Sequence, residues 1–294
     1  MIIVITGPTG VGKTKLSIAL AKTYNAEIIN ADSMQIYKDL NIGTAKIKES
    51  EKEGIVHHLF DIKTVYEDYS IYEYQKEARI IIDDILKRGK NAIIVGGTGL
   101  YIKSCLYDYK LGDNIITNTY DDVTTEDLYL ELKKLDQDIK IDKNNRRRLV
   151  RALNYYKENN KSISLNKNGD KLLYDAIFIG LTTKRDKLYE IINKRVDHMI
   201  YQGLIEEAKS FYDKKVYTKP LINGIGYKEL YSYFDGVITK DEAIDLIKKN
   251  SRHYAKRQYT FFNNKLNINW FDVNFNDFNQ TILEVINFIN SKNN

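Results

Sequence analysis

Cysteine is almost absent from this sequence. Cys105 is the sole one in 294 residues, so no disulfide can close within the chain and no cysteine-rich zinc site can form. Proline is nearly as scarce, with two residues, while Lys, Asn, Ile and Tyr are abundant. That bias reads as a property of the coding genome and carries no functional weight. No apolar run approaches the ~18 residues that a membrane helix needs. A glycine-rich loop begins at residue 7, which leaves no room for the parts of a secretory signal. A cytoplasmic protein without a membrane partner is expected. A strong charge of either sign is lacking too. The 45 basic and 40 acidic residues leave +5, so a nucleic-acid partner must be argued from where cations cluster. Apolar side chains are plentiful: at 43% of residues they suffice for a core and exclude wholesale disorder.

The order of the patterns predicts the fold class. Ile2 to Thr6 is a β-rich apolar run, and Lys15 to Tyr24 has helical apolar spacing. Ala26 to Ala31 reads as a second strand, 70–88 as a helix, Ala92 to Val95 as a third strand and Ala176 to Leu181 as a fourth. Arg185 to Tyr212 reads as one long amphipathic helix, and Asn145 to Asn159 as a shorter one. Thr239-Lys240-Asp241-Glu242 is a capping box that starts a helix running to about residue 258. Such alternation implies an α/β protein with a parallel, doubly wound sheet and its sites at the strand C-termini. Over 109–143 the pattern turns polar and acidic (Asp121, Asp122, Glu126, Asp127) and lacks arginine. We read it as a small, mainly helical insertion within a core formed by 1–108 and 144–294. The tail after Asn290 reads as frayed.

The loop between the first strand and helix is Gly7-Pro8-Thr9-Gly10-Val11-Gly12-Lys13-Thr14. Its glycines let the backbone bend around an anion, so that successive N–H groups and the helix N-terminus point at phosphates. Lys13 would neutralise the terminal oxygens, and the Thr14 hydroxyl could ligate Mg²⁺. The loop alone does not choose between ATPase, kinase and other chemistry. The third strand ends in Gly96-Gly97-Thr98 where an NTPase often has a magnesium-holding aspartate. The acid nearest in organisation is Asp32, at the end of strand two. It reads as a general base, a metal-holding residue or a helix cap.

Further blocks follow in order. They are Ala31-Asp32-Ser33-Met34-Gln35-Ile36-Tyr37, Val56-His57-His58-Leu59-Phe60-Asp61, Gly96-Gly97-Thr98-Gly99-Leu100-Tyr101, Gly224-Ile225-Gly226-Tyr227-Lys228-Glu229 and Tyr254-Ala255-Lys256-Arg257-Gln258-Tyr259-Thr260. Behind this phosphate loop, the set resembles the tRNA dimethylallyltransferase family over about 1–272. The resemblance implies that the loop holds the diphosphate of dimethylallyl diphosphate. The prenyl group would pass to the exocyclic amine of the adenine 3′ to the tRNA anticodon. It implies Asp32 as the catalytic base, Arg195 as a diphosphate contact and Thr98 as a neighbour of diphosphate and amine. It sets Asp32, Ser33, Met34 and Gln35 against the flipped base. His57 and His58, adjacent and without a third ligand, read as structural.

Two basic segments suit RNA phosphates. Arg147, Arg148 and Arg151 crowd one helix and resemble the family's tRNA-contacting element. Lys248, Arg252 and Lys256 repeat every four residues, with Arg257 beside them, and could equally be a solvated face. A monomeric Mg²⁺-dependent transferase acting on tRNA is the leading expectation. A small-molecule kinase of the same fold and a nucleotide-gated RNA-binding protein without turnover are the alternatives.

Overall fold

Six strands of two to seven residues build one parallel sheet in the computed structural model, which describes residues 1–109, 111, 118–165, 169 and 171–293. They are β1 (Ile2–Thr6), β2 (Ala26–Asn30), the two-residue β3 (His57–His58), β4 (Asn91–Val95), β5 (Ala176–Thr182) and β6 (Asn269–Asp272). Their order is β3-β2-β4-β1-β5-β6. Ile3 lies opposite Ile93 of β4 on one side and Ile177 of β5 on the other. Every residue of β1 and β2 is buried, as parallel strands covered on both faces require. The chain leaves β1 for β2 across β4, so the loops after β1, β2 and β4 open at one switch point.

The helices in chain order are α1 (Lys13–Thr23), α2 (Ile71–Lys87), α3 (Gly99–Leu106), α4 (Thr125–Leu135), α5 (Arg146–Asn159), α6 (Arg185–Tyr201), α7 (Leu204–Tyr212), α8 (Lys219–Asn223), α9 (Tyr227–Phe234), α10 (Lys240–Lys265) and α11 (Phe278–Asn293). One apolar cluster joins Ile5, Val11, Leu16, Ile93, Ile179, Leu188 and Val285 around the central strands. A second joins Val196, Leu204, Tyr227, Leu230 and Ile247 among α6, α7, α9 and α10. Among the described residues no helix is long and apolar enough to cross a membrane.

Several expectations change. The long helix over 185–212 is two helices, because Gly203 takes φ 103° and starts α7 afresh. The helix capped by Thr239 runs to Lys265, and α11 continues to Asn293 where a frayed tail was expected. The inserted unit is Tyr107–Leu172, not 109–143. The physical reason is α5, whose Leu149, Val150 and Leu153 are buried in a cluster with Leu128 and Leu132 of α4. Arg146 also donates to the carbonyls of Tyr120 and Val123, and Asn154 exchanges hydrogen bonds with Asn118. Residues 110 and 112–117 of the expected lobe lie outside the described residues.

Candidate active site

The phosphate loop leaves β1 at Gly7, which has φ 136°, and Gly12 closes it at φ 92° as the N-cap of α1. A side chain on Gly7 would strike the Leu181 carbonyl of β5. Lys13 Nζ folds back and donates to the carbonyls of Gly7 (3.0 Å) and Pro8 (2.7 Å). Burial of this ammonium, with the Arg195 guanidinium nearby, lowers its pKa to about 7, while Asp32 pulls the other way. Burial lowers the Arg195 pKa too, again opposed by Asp32. Two cations that burial disfavours, beside the N-terminus of α1, form a site that favours a multivalent anion.

Asp32 is fixed by the residue at the end of β2. Asn30 Oδ1 accepts from the Asp32 N–H (2.9 Å), and Asn30 Nδ2 donates to the carbonyls of Asp32 and Leu59. Asp32 Oδ1 accepts from the Met34 N–H at 2.9 Å. The next loop is stitched on by Thr98, whose Oγ1 accepts from the Ser33 N–H (3.1 Å) and whose N–H donates to the Ala31 carbonyl (3.0 Å). The loops after β1, β2 and β4 thus bring together the phosphate loop, Asp32 and Thr98.

A cavity of about 600 Å³ opens beside them. Thr9, Gly10, Gly12, Lys13 and Thr14 line it from the loop, Asp32 to Gln35 from the β2 side, and Arg195 from α6. Gly224 to Lys228 and the inner face of α10 complete the wall. Gln35 is partly committed, because its Nε2 donates to the Thr44 carbonyl at 3.1 Å. Thr14 is exposed at the first turn of α1.

Two residues missed in the sequence stand in this wall. Gln258 is buried and donates Nε2 to the Gly97 carbonyl at 3.0 Å. Tyr254 lies beside Thr98 and Gln258, and burial raises its phenol pKa. Ile247, Ser251, Tyr254 and Gln258 share one face of α10 at helical spacing. That spacing was legible, but the basic residues on the other faces drew the reading. A third missed residue is Glu207 of α7. Its carboxylate accepts from the N–H groups of Asn41 (3.0 Å), Ile42 (2.8 Å) and Gly43 (3.0 Å) and from the Tyr227 hydroxyl (2.6 Å).

The basic segments divide. Lys248 pairs with Asp197 at 2.6 Å. Arg252 donates to Asn193 Oδ1 at 2.6 Å and lies over the Tyr189 ring. These two tie α10 to α6. Lys256 and Arg257 are exposed, and Arg257 reaches the cavity rim over Tyr254. Arg147, Arg148 and Arg151 are exposed on α5 of the inserted unit. His57 Nδ1 lies 2.8 Å from the Ile55 carbonyl, and His58 Nε2 lies 2.8 Å from Glu27 Oε2. Among the described residues no cluster of three His, Cys, Asp or Glu could hold a metal. Mg²⁺ needs only one or two protein ligands when phosphates supply the rest, and the exposed Thr14 hydroxyl on the cavity suits that pattern.

The family model described as IPP transferase matches residues 35–265. A tRNA dimethylallyltransferase of Anoxybacillus flavithermus is 49% identical over 300 residues, covering 99% of this chain and 96% of the relative. The crystal structure of a tRNA delta(2)-isopentenylpyrophosphate transferase from Staphylococcus epidermidis is 39% identical, with a TM-score of 0.76 and 99% of both chains covered. A structure of a eukaryotic dimethylallyltransferase acting on tRNA is 33% identical with a TM-score of 0.81, covering 92% of this chain and 73% of that one. Neither the kinase nor the non-catalytic alternative is favoured by these likenesses. With a phosphate loop, an aspartate and a threonine gathered at one switch point, the chain belongs to the tRNA dimethylallyltransferase family of prenyltransferases.

Proposed function

We propose that this enzyme transfers the dimethylallyl group of dimethylallyl diphosphate to the exocyclic amine of the adenine 3′ to the anticodon of tRNA. The observation that carries the reading is the pairing, in one cavity, of the half-buried cations Lys13 and Arg195 with the carboxylate of Asp32. The amine is a weak nucleophile, because its lone pair is delocalised into the ring. Asp32 hydrogen-bonds one amine N–H and takes that proton as the new C–N bond forms. The allylic C–O bond breaks, and the electron pair leaves with diphosphate. Lys13, Arg195 and the loop N–H groups stabilise the charge that gathers on the leaving group. Thr98 holds Ser33 and so keeps Asp32 aimed between the two substrates. Mg²⁺, held by Thr14 and the diphosphate oxygens, would supply further charge neutralisation.

The adenine must leave its stack to reach this cavity. Ser33 and Met34 form the wall that the base would meet, and Gln35 would offer its carbonyl oxygen to the amine edge. Arg147, Arg148 and Arg151, with Lys256, Arg257 and, to a lesser degree, Arg252, are proposed to track RNA phosphates. A tRNA substrate and a single buried thiol suit the cytoplasm. The test is incubation with labelled dimethylallyl diphosphate and unmodified tRNA. Label should enter a tRNA whose anticodon is followed by adenine. No incorporation, alongside hydrolysis of ATP or phosphate transfer, overturns the reading.

A further inference from the structure

Asp32 lies in a stretch whose backbone is held peptide by peptide. The Ala31 N–H donates to the Val95 carbonyl at 2.8 Å, and the Ala31 carbonyl accepts from the Thr98 N–H. The Ser33 N–H donates to Thr98 Oγ1. Both neighbours of the aspartate are thus tied to β4 and the loop after it. The peptide groups of Asp32 itself are taken by one side chain, that of Asn30, the last residue of β2. Its Oδ1 accepts from the Asp32 N–H at 2.9 Å. Its Nδ2 donates to the Asp32 carbonyl at 3.1 Å and to the Leu59 carbonyl at 2.9 Å. Asn30 is 1% exposed and does not line the cavity.

The turn is repeated one step on. Asn30 reaches the N–H two residues ahead, and Asp32 reaches the Met34 N–H in the same way. That second bond occupies Asp32 Oδ1. Among the described residues Oδ2 has no hydrogen-bond partner, and Asp32 lines the cavity. Leu59 is buried, has φ 62° and follows β3 directly, so the same amide joins the aspartate's turn to the edge of the sheet. We infer that Asn30 is a positioning residue for the transfer. Its amide fixes the Asp32 peptide so that Oδ1 stays with Met34 and Oδ2 stays aimed as the proton acceptor. The inference rests on the base role proposed above for Asp32.

The test is single-turnover transfer by wild type, Asn30→Ala, Asp32→Asn and the double variant, with diphosphate affinity measured by calorimetry. A misplacement of about 1 Å costs on the order of 10²-fold in rate. Asn30→Ala should therefore slow transfer by ~10–10²-fold and hold diphosphate affinity within about twofold. In the Asp32→Asn background the same substitution should cost less than about threefold, because the group it aims is already gone. Equal costs in the two backgrounds overturn the inference and make Asn30 a residue of the fold alone. So does a wild-type rate in Asn30→Ala, or a loss of diphosphate affinity as large as the loss of rate. If Asn30→Ala melts too low to assay, Asn30→Ser keeps an acceptor for the Asp32 N–H and loses the reach to Leu59. It should show a smaller loss, ~3–10-fold, that again vanishes in Asp32→Asn. A near wild-type rate for Asp32→Asn alone marks failure of the proposed base, and this inference falls with it. A slow Asp32→Asn with an additive Asn30→Ala marks failure of this inference alone.

Discussion

Asp32 and Lys13 face one cavity but are proposed to serve opposite ends of the reaction. Asn is nearly isosteric with Asp, so Asp32→Asn should keep the fold and tRNA affinity. It cannot accept a proton, and single-turnover transfer should fall by ~10²–10⁴-fold. A near wild-type rate sinks the base assignment, and a loss confined to Mg²⁺-dependent donor binding makes Asp32 a metal-site residue. Lys13 gives a pH signature. Its folded pKa, near 7, lies below the 10.5 of a free lysine. Below pH 7 the ammonium is charged in folded and unfolded states alike, and the full penalty of burying it applies. From about pH 7 to 10.5 the unfolded chain binds the extra proton, so this group's contribution to stability improves as pH rises. Diphosphate reverses the shift, so its binding above pH 7 should take up nearly one proton, and affinity should fall up to about tenfold per pH unit. Titrations in buffers of different ionisation enthalpy measure the uptake. Arg195 and Asp32 are the charged neighbours. Uptake that persists in Lys13→Met would assign the proton elsewhere.

At the scale of elements, α7 acts through Glu207, which holds three successive N–H groups of the loop that walls the cavity. Glu207→Ala should cost ~1–3 kcal/mol by leaving those donors without their acceptor. It should also speed amide exchange at Asn41 to Gly43. Exchange left at the wild-type rate would show that the loop holds itself. Elements defined by local chemistry were legible in the sequence. The Thr239-to-Glu242 box opens α10, and the glycine loop joins β1 to α1 as its composition requires. The break at Gly203 was not legible, because apolar spacing continues on both sides while the backbone turns left-handed for one residue. Neither β3 nor β6 carries a strand signal of its own, since each pairs along one side only of a sheet built elsewhere. Asp32 and Thr98 were legible as candidate site residues through their blocks. Tyr254 and Gln258 were not, because their role depends on which face of α10 turns toward Gly97.

For the whole molecule, exposed cations and packed cations should separate in salt titrations. Arg147→Ala or Arg151→Ala should shallow the salt dependence of tRNA binding by ~0.9 in log–log slope for each phosphate that the variant no longer neutralises. Arg252→Ala should change that slope less and lower thermal stability, since its guanidinium binds Asn193 and covers Tyr189. Equal slopes for all three variants and wild type would reduce these faces to solvated surface. The sheet order has a consequence for synthesis. β1 lies between β4, complete at Val95, and β5, complete only at Thr182, with the 107–172 unit made between them. A ribosome adding roughly 5–20 residues per second takes several seconds over that interval. Throughout it the first strand has one edge without its partner, and that edge is a template for pairing with another chain. The nascent protein must outlast that exposure before its phosphate loop has Leu181 to rest on.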